Sequence, residues 1–214
     1  SYIYKRTGST WAQEAFLKAS NAEASDSFGI SVDLSGDTVV IGAWVEDSNQ
    51  TTITNGATSS ADNTASGAGA SYIYKRTGTN WAQEAYLKPS NANVLDKFGY
   101  SVAISGDTAV IGAYAEDSNQ TTITNGTTSS ADNTAASAGA SYIYKRTGTN
   151  WVQEAYLKAS NANASDWFGV SVAISGDTAV IGAYREGSNQ TTITNGATSS
   201  TDNSLGSVGA SYIY

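Results

Sequence analysis

The chain contains no cysteine, histidine or methionine and a single proline. Without cysteine there is no disulfide framework, no thiolate zinc site and no cysteine nucleophile. Without histidine the commonest general base and the commonest transition-metal ligand are missing. Basic residues are scarce as well: 11 Lys and Arg stand against 19 Asp and Glu, for a net charge of −8. That balance excludes the basic face from which nucleic-acid binders draw most of their affinity. It also argues against adsorption to anionic membranes, and no apolar run approaches the ~20 residues that span a bilayer. Neither a Gly-x-Ser-x-Gly elbow nor a Gly-x-Gly-x-x-Gly phosphate loop occurs. No signal peptide is visible and the chain does not begin with Met, so a mature product or a piece of something longer is expected.

What the chain does have is repetition. Ser1-Tyr2-Ile3-Tyr4-Lys5-Arg6-Thr7-Gly8 returns at Ser71 and at Ser141, a period of 70 residues without insertion or deletion. The copies are 1–70, 71–140 and 141–210, and residues 211–214 open a fourth. Together they form one repeat domain, in phase with a window taken from a longer array.

Within the second copy, Asp96 to Ala113 reads as two short strands around a tight turn. Ser101 to Ser105 alternates, with Val102 and Ile104 on one face, whereas Thr108 to Ala113 is apolar almost throughout, as in a strand covered on both sides. Gly106-Asp107 between them is a two-residue hairpin signal. Ser71 to Arg76 is a further strand, with Tyr72 and Tyr74 opposite Ile73, followed by a turn at Thr77-Gly78-Thr79-Asn80. Trp81 to Lys88 then reads as a strand with Trp81, Gln83, Ala85 and Leu87 on one face and Ala82, Glu84, Tyr86 and Lys88 on the other. A short helix is the alternative for that segment. Pro89 to Leu95 is a polar link. Glu116 to Gly139 is a long polar loop in which Gln120 to Thr124 has strand character and Asn125-Gly126 is a turn signal. An ordered excursion with a small extra hairpin is expected there. The fold class is therefore all-β, with one four-stranded antiparallel sheet per repeat in the manner of a β-propeller blade. Three blades make an incomplete ring or part of a longer array.

Phe98-Gly99-Tyr100-Ser101-Val102 and Val110-Ile111-Gly112-Ala113 resemble the FG-GAP repeat, the blade unit of the integrin α-chain head and of many bacterial surface proteins. Gly139-Ala140-Ser141-Tyr142-Ile143-Tyr144 fits the aromatic strand that follows in that pattern. The resemblance covers each repeat except the long loop, and it implies an extracellular recognition or adhesion module. Many such repeats bind calcium through an Asp-rich loop between the first two blade strands. Here that loop is reduced to Ser105-Gly106-Asp107-Thr108, short of the six to eight oxygens that calcium takes. The family's Gly-Ala-Pro is also Gly112-Ala113-Tyr114 here, with Trp44 and Tyr184 in the other copies.

Candidate sites follow from residue type and spacing. Glu46, Asp47, Asn49 and Asp62 recur as Glu116, Asp117, Asn119 and Asp132, oxygen ligands at alternating positions that suit a hard cation such as calcium. The third copy reads Glu186-Gly187 and loses one of them. The alternative is a solvated loop whose Asp and Asn cap their own backbone. Asp26, Asp96 and Asp166 stand two residues before each Phe-Gly and are expected to bond turn amides. Trp44, Tyr114 and Tyr184, at the mouth of the long loop, are the candidate ligand-binding aromatics, since aromatic faces stack on sugar rings. Other aromatics at regular strand positions are expected in the core. Ser27, Lys97 and Trp167 share one variable slot and Val45, Ala115 and Arg185 another. A carboxylate pair could serve glycoside hydrolysis, but every pair repeats with the blade as scaffold residues do, so no enzyme is expected.

The function expected is non-enzymatic recognition or adhesion at a bacterial cell surface or outside the cell, with a protein or glycan held by the long loops. Neither nucleic acid nor membrane insertion is expected. The alternative is a structural segment of an exported fibre or surface layer, self-associating through unpaired terminal strands.

Overall fold

A computed structural model describes all 214 residues, and it contains strands and no helix. Strands are numbered in chain order. β1 (Tyr2–Thr7) and β2 (Thr10–Phe16) form a hairpin. β3 (Val32–Ser35), β4 (Thr38–Ala43), β6 (Ala70–Thr77) and β7 (Asn80–Leu87) follow one another in an antiparallel sheet, with β5 (Thr54–Asn55) on its outer edge. The next sheet repeats this order with β8 (Ser101–Ser105), β9 (Thr108–Ala113), β11 (Ala140–Thr147), β12 (Asn150–Leu157) and β10 (Thr124–Asn125). β13 (Ser171–Ser175), β14 (Thr178–Ala183) and β15 (Ala210–Ile213) form the last. The segment from Trp81 is strand, as its β-rich surroundings imply.

Each full blade thus has four long strands, and it draws them from two neighbouring sequence copies. β3 and β4 come from the first copy, β6 and β7 from the second. The turns are as the residues dictate. Ser105 pairs with Thr108 across Gly106-Asp107, with Gly106 at φ +59°, a conformation glycine adopts without steric cost. β4 and β9 are buried along their whole length.

The faces of β7 and β12 differ from simple alternation. Ile73 pairs with Ala85 but Tyr74 pairs with Gln83, so Glu84 is the extra residue of a β-bulge. The bulge turns Tyr86 onto the face of Trp81 and Gln83 and puts Ala85 and Leu87 on the other. Glu154 plays the same part in β12. Strict alternation fails here because one unpaired residue inverts every side chain beyond it.

Blades stack through these faces. Phe98, Tyr142, Tyr144, Trp151 and Tyr156 pack with Val40, Ile73, Ala85 and Leu87 of the preceding blade. Phe98 meets Tyr142 and Tyr144 edge to face, with ring centroids 5.4 and 6.0 Å away. Full burial of such a ring stabilises by about 1.5–3 kcal/mol. The first strands β3, β8 and β13 lie side by side, and the amide of Ile104 donates to Asp33 Oδ2 at 2.7 Å. Gly99 and Gly112 mark close backbone approaches: a Cβ on Gly112 would collide with the Gly169 carbonyl, and one on Gly99 with that of Ala70.

The long loop joins the second and third strands of a blade and wraps the outer edge of the fourth. Instead of a separate hairpin, Thr124 and Asn125 pair with Tyr156 and Ala155 of β12. The Gly126 amide donates to the Glu154 carbonyl at 2.6 Å and Gln153 Nε2 to the Thr128 carbonyl at 3.2 Å. An edge strand that would otherwise expose its backbone is thereby covered.

Candidate functional site

The loop acids are held by internal partners. Glu116 is buried and accepts from Tyr156 OH at 2.8 Å, Asn91 Nδ2 at 3.0 Å and Lys158 Nζ at 3.0 Å. Lys158, equally buried, also donates to the carbonyls of Ser118 and Gly139, each at 2.7 Å. Burial pushes the Lys158 ammonium below its ordinary value while Glu116 opposes that shift. Glu46 and Lys88 repeat the arrangement in the preceding blade. Asp47 accepts from the Gly67 amide and Asp117 from that of Ser137. Asp62 and Asp132 accept the amides of Asn49 and Asn119 at 3.0 Å, and these and neighbouring Thr donors hold both carboxyls below the usual range. Asn49 thus meets Asp62 and Asn119 meets Asp132, but no group of three or more carboxylates is close enough to share an ion. In the buried pairs a lysine ammonium is the cation.

The turn where the resemblance would put a calcium loop does not fit that ion either. Asp107 is its one carboxylate, and Arg146 grips it, with Nε at 2.8 Å. Arg76 holds Asp37 in the same way. One carboxylate already paired with a guanidinium is far from a calcium shell.

Asp26, Asp96 and Asp166 are buried, and their Oδ2 atoms accept the amides of Glu23, Asn93 and Asn163 at 2.8 Å. They shape the turn before each Phe-Gly, as their position implies. Burial, with Glu116 adding, raises the Asp96 carboxyl to about 8.

The aromatics at the loop mouths do come together. Trp44 meets Tyr100 (centroids 5.5 Å apart), Tyr100 meets Tyr114 (4.6 Å), Tyr114 meets Trp167 (4.8 Å) and Trp167 meets Tyr184 (5.4 Å). The result is a continuous strip that runs across successive blades, at the end opposite the Gly106-Asp107 turns. Its rings are half-buried, with Tyr184 51% exposed. Tyr100 and Trp167 are members that strand patterning did not flag, because both lie in the turns that precede β8 and β13, at positions without a repeated residue type.

That irregularity is the signal. Of the 70 repeat positions 23 vary, and only four of these hold a different residue in every copy: 27/97/167, 30/100/170, 45/115/185 and 66/136/206. The structure gathers them at this one end. The amides of Val45, Ala115 and Arg185 donate to the carbonyls of Asp26, Asp96 and Asp166, beside the first slot. The amides of Leu95 and Ser165 donate to the carbonyls of Ser66 and Ala136, at the fourth. Lys97 Nζ lies over the Trp44 ring at 5.1 Å, and the Arg185 guanidinium over Trp167 at 4.1 Å and Tyr184 at 5.9 Å. Trp167 sits at φ +60° and Lys97 at φ +63°, so the backbone presents both side chains the same way.

Residues 11–58, 81–144 and 151–214 each match the sequence profile of the FG-GAP repeat. No curated protein matches the chain.

Proposed function

The chain belongs to the FG-GAP repeat family, and from that footing we propose that it is a non-enzymatic, extracellular recognition or adhesion module whose ligand, a glycan or a protein, lies on the aromatic strip. Repeats of this family are typical of extracellular proteins, and no helix is long and apolar enough to cross a membrane. One observation carries the reading. At every other variable position two of the three copies share a residue, whereas the four positions that hold a different residue in each copy all fall at the strip, where side chains answer to something other than the fold. Catalysis has little support. A cleft of about 440 Å³ near the opposite end has one acid in its lining, Glu84, and that acid is already bonded to Arg146 and to the Trp151 indole.

The test is a screen of the whole chain against arrays of glycans and of extracellular proteins, followed by titration of each hit with Trp167→Ser and Tyr114→Ala. Ser27 occupies the Trp167 slot at φ +58°, so the serine variant is expected to fold. Saturable binding that both variants weaken at least tenfold, with an unchanged melting temperature, supports the proposal. Hits indifferent to both variants overturn it.

A second reading, blade stacking into a surface structure, has its own observation. The contact between blades is a repeated one: Tyr142, Tyr144, Trp151 and Tyr156 pack against Ile73, Ala85 and Leu87, and Tyr72, Tyr74, Trp81 and Tyr86 against Ile3, Ala15 and Leu17, with Tyr2, Tyr4 and Trp11 at the corresponding places of the first hairpin. Concentration-dependent growth in mass by light scattering, abolished by Trp11→Ser, would favour it. A constant monomer mass would remove it.

A further inference from the structure

Resting on the recognition reading, we infer that the strip takes an acidic polysaccharide, a sugar chain bearing repeated carboxylate or sulfate groups. Of the 11 basic residues, all but Lys97 and Arg185 recur at the same place in every copy. These two alone are copy-specific, and both lie on the strip. In a protein of net charge −8, cations have been added at one place. The same end loses an acid as well, because Asp47 and Asp117 are replaced by Gly187 in the third copy.

The state of the two cations matters more than their number. Arg76 and Arg146 are consumed by Asp37, Glu14, Asp107 and Glu84. By contrast, the side chains of Arg185 and Lys97 make no hydrogen bond or ion pair within the chain, although Asp47 faces Lys97 electrostatically. Arg185 is exposed and held by stacking on Trp167 and Tyr184. Stacking orients the planar guanidinium and leaves its N–H edge free, the geometry that grips a carboxylate or sulfate in two parallel bonds. Neighbouring ring faces offer apolar contact to the pyranose between successive anions. A long acidic polymer fits the arrangement better than an acidic peptide, because the cations sit at separate points along a strip that crosses the blades, with aromatic surface between them.

The experiment is affinity electrophoresis and calorimetry of the whole chain with polygalacturonate (carboxylate), dextran sulfate (sulfate) and neutral dextran. The expected result is retardation by one or both acidic polymers and none by dextran, with affinity falling as salt rises. Arg185→Ala, which copies Ala115 of the second repeat, should weaken binding at least tenfold, and Lys97→Ser, which copies Ser27, should weaken it several-fold. Arg6→Ala, at the far end of the first hairpin, should leave it unchanged. The polymer that binds identifies the anion. Equal retardation by dextran, no retardation by any polymer, or undiminished binding by Arg185→Ala overturns the inference. If an array hit is a neutral glycan or a protein that needs Trp167 but not Arg185 or Lys97, the acidic inference fails while the recognition reading survives. If no ligand depends on Trp167, both fail.

Discussion

Replacing Lys158 by methionine tests the idea that buried charge, rather than a metal, organises the long loop. The two side chains are of similar length and volume, so little cavity is made. What is lost is an ammonium with no solvent exposure and its three contacts: Glu116, the Ser118 carbonyl and the Gly139 carbonyl. Glu116 keeps its bonds from Tyr156, Asn91 and the Ser118 amide but loses its counter-charge. Breaking a buried pair from one side costs about 3–5 kcal/mol. For a chain of this size that corresponds to a fall in melting temperature of roughly 6–20 °C. Glu116→Gln in the same background removes the stranded charge, so the double variant should recover at least about 1 kcal/mol relative to additivity. Urea denaturation gives the global figure. Hydrogen exchange gives the local one: the amides of Gly139 and Ala135, which donate to Glu116 and Asp117, should lose protection first. A methionine variant within about 0.5 kcal/mol of the parent, or a strictly additive pair, would refute the reasoning.

Other outcomes follow from the contacts of the same blades. Calcium or a chelator should leave the melting temperature unchanged, since Lys88, Lys158, Arg76 and Arg146 already neutralise the acids nearest the candidate sites; a rise with calcium would show a site that these contacts do not reveal. Gly112→Ala should destabilise by about 1–3 kcal/mol or more, because its Cβ meets the backbone of Gly169 in the next blade. Ser141→Ala should be neutral or stabilising by up to about 1 kcal/mol in urea, because the Ser141 hydroxyl is buried without a partner. Asp96 binds its proton more tightly when folded, about 8 against an ordinary 3.8, so its stability contribution is complete below pH 4 and is lost as pH rises toward 8. The parent should therefore weaken from pH 5 to 8, and Asp96→Asn, which still accepts the Asn93 amide, should weaken less over that window; an equal slope in both proteins would contradict this.

Some of the site was open to inspection in the residues and some was not. Trp44, Tyr114 and Tyr184 stand out because they interrupt the family's Gly-Ala-Pro at one place in each copy. Tyr100 and Trp167 do not, since their slots also hold Ile30, Val170, Ser27 and Lys97, and only spatial neighbours give those residues a meaning. Glu46 and Glu116 look like loop oxygens in a linear reading. Their lysine partners lie 42 residues further on, beyond the reach of any local spacing rule.

By itself the sequence determined the 70-residue period, the two-residue turns, the fully buried second strand of the two complete blades and membership in the FG-GAP family. Those follow from interactions among near neighbours: alternation, glycine at positive φ and the pairing of adjacent strands. Tertiary structure decided that each blade joins halves of two copies, that Glu84 and Glu154 bulge and reverse a face, that the long loop seals an outer edge, and that five rings from three copies meet in one strip. These depend on which distant segments pack together. Burial of the Phe98 and Tyr142 faces sets that choice globally, and no short window of residues contains it.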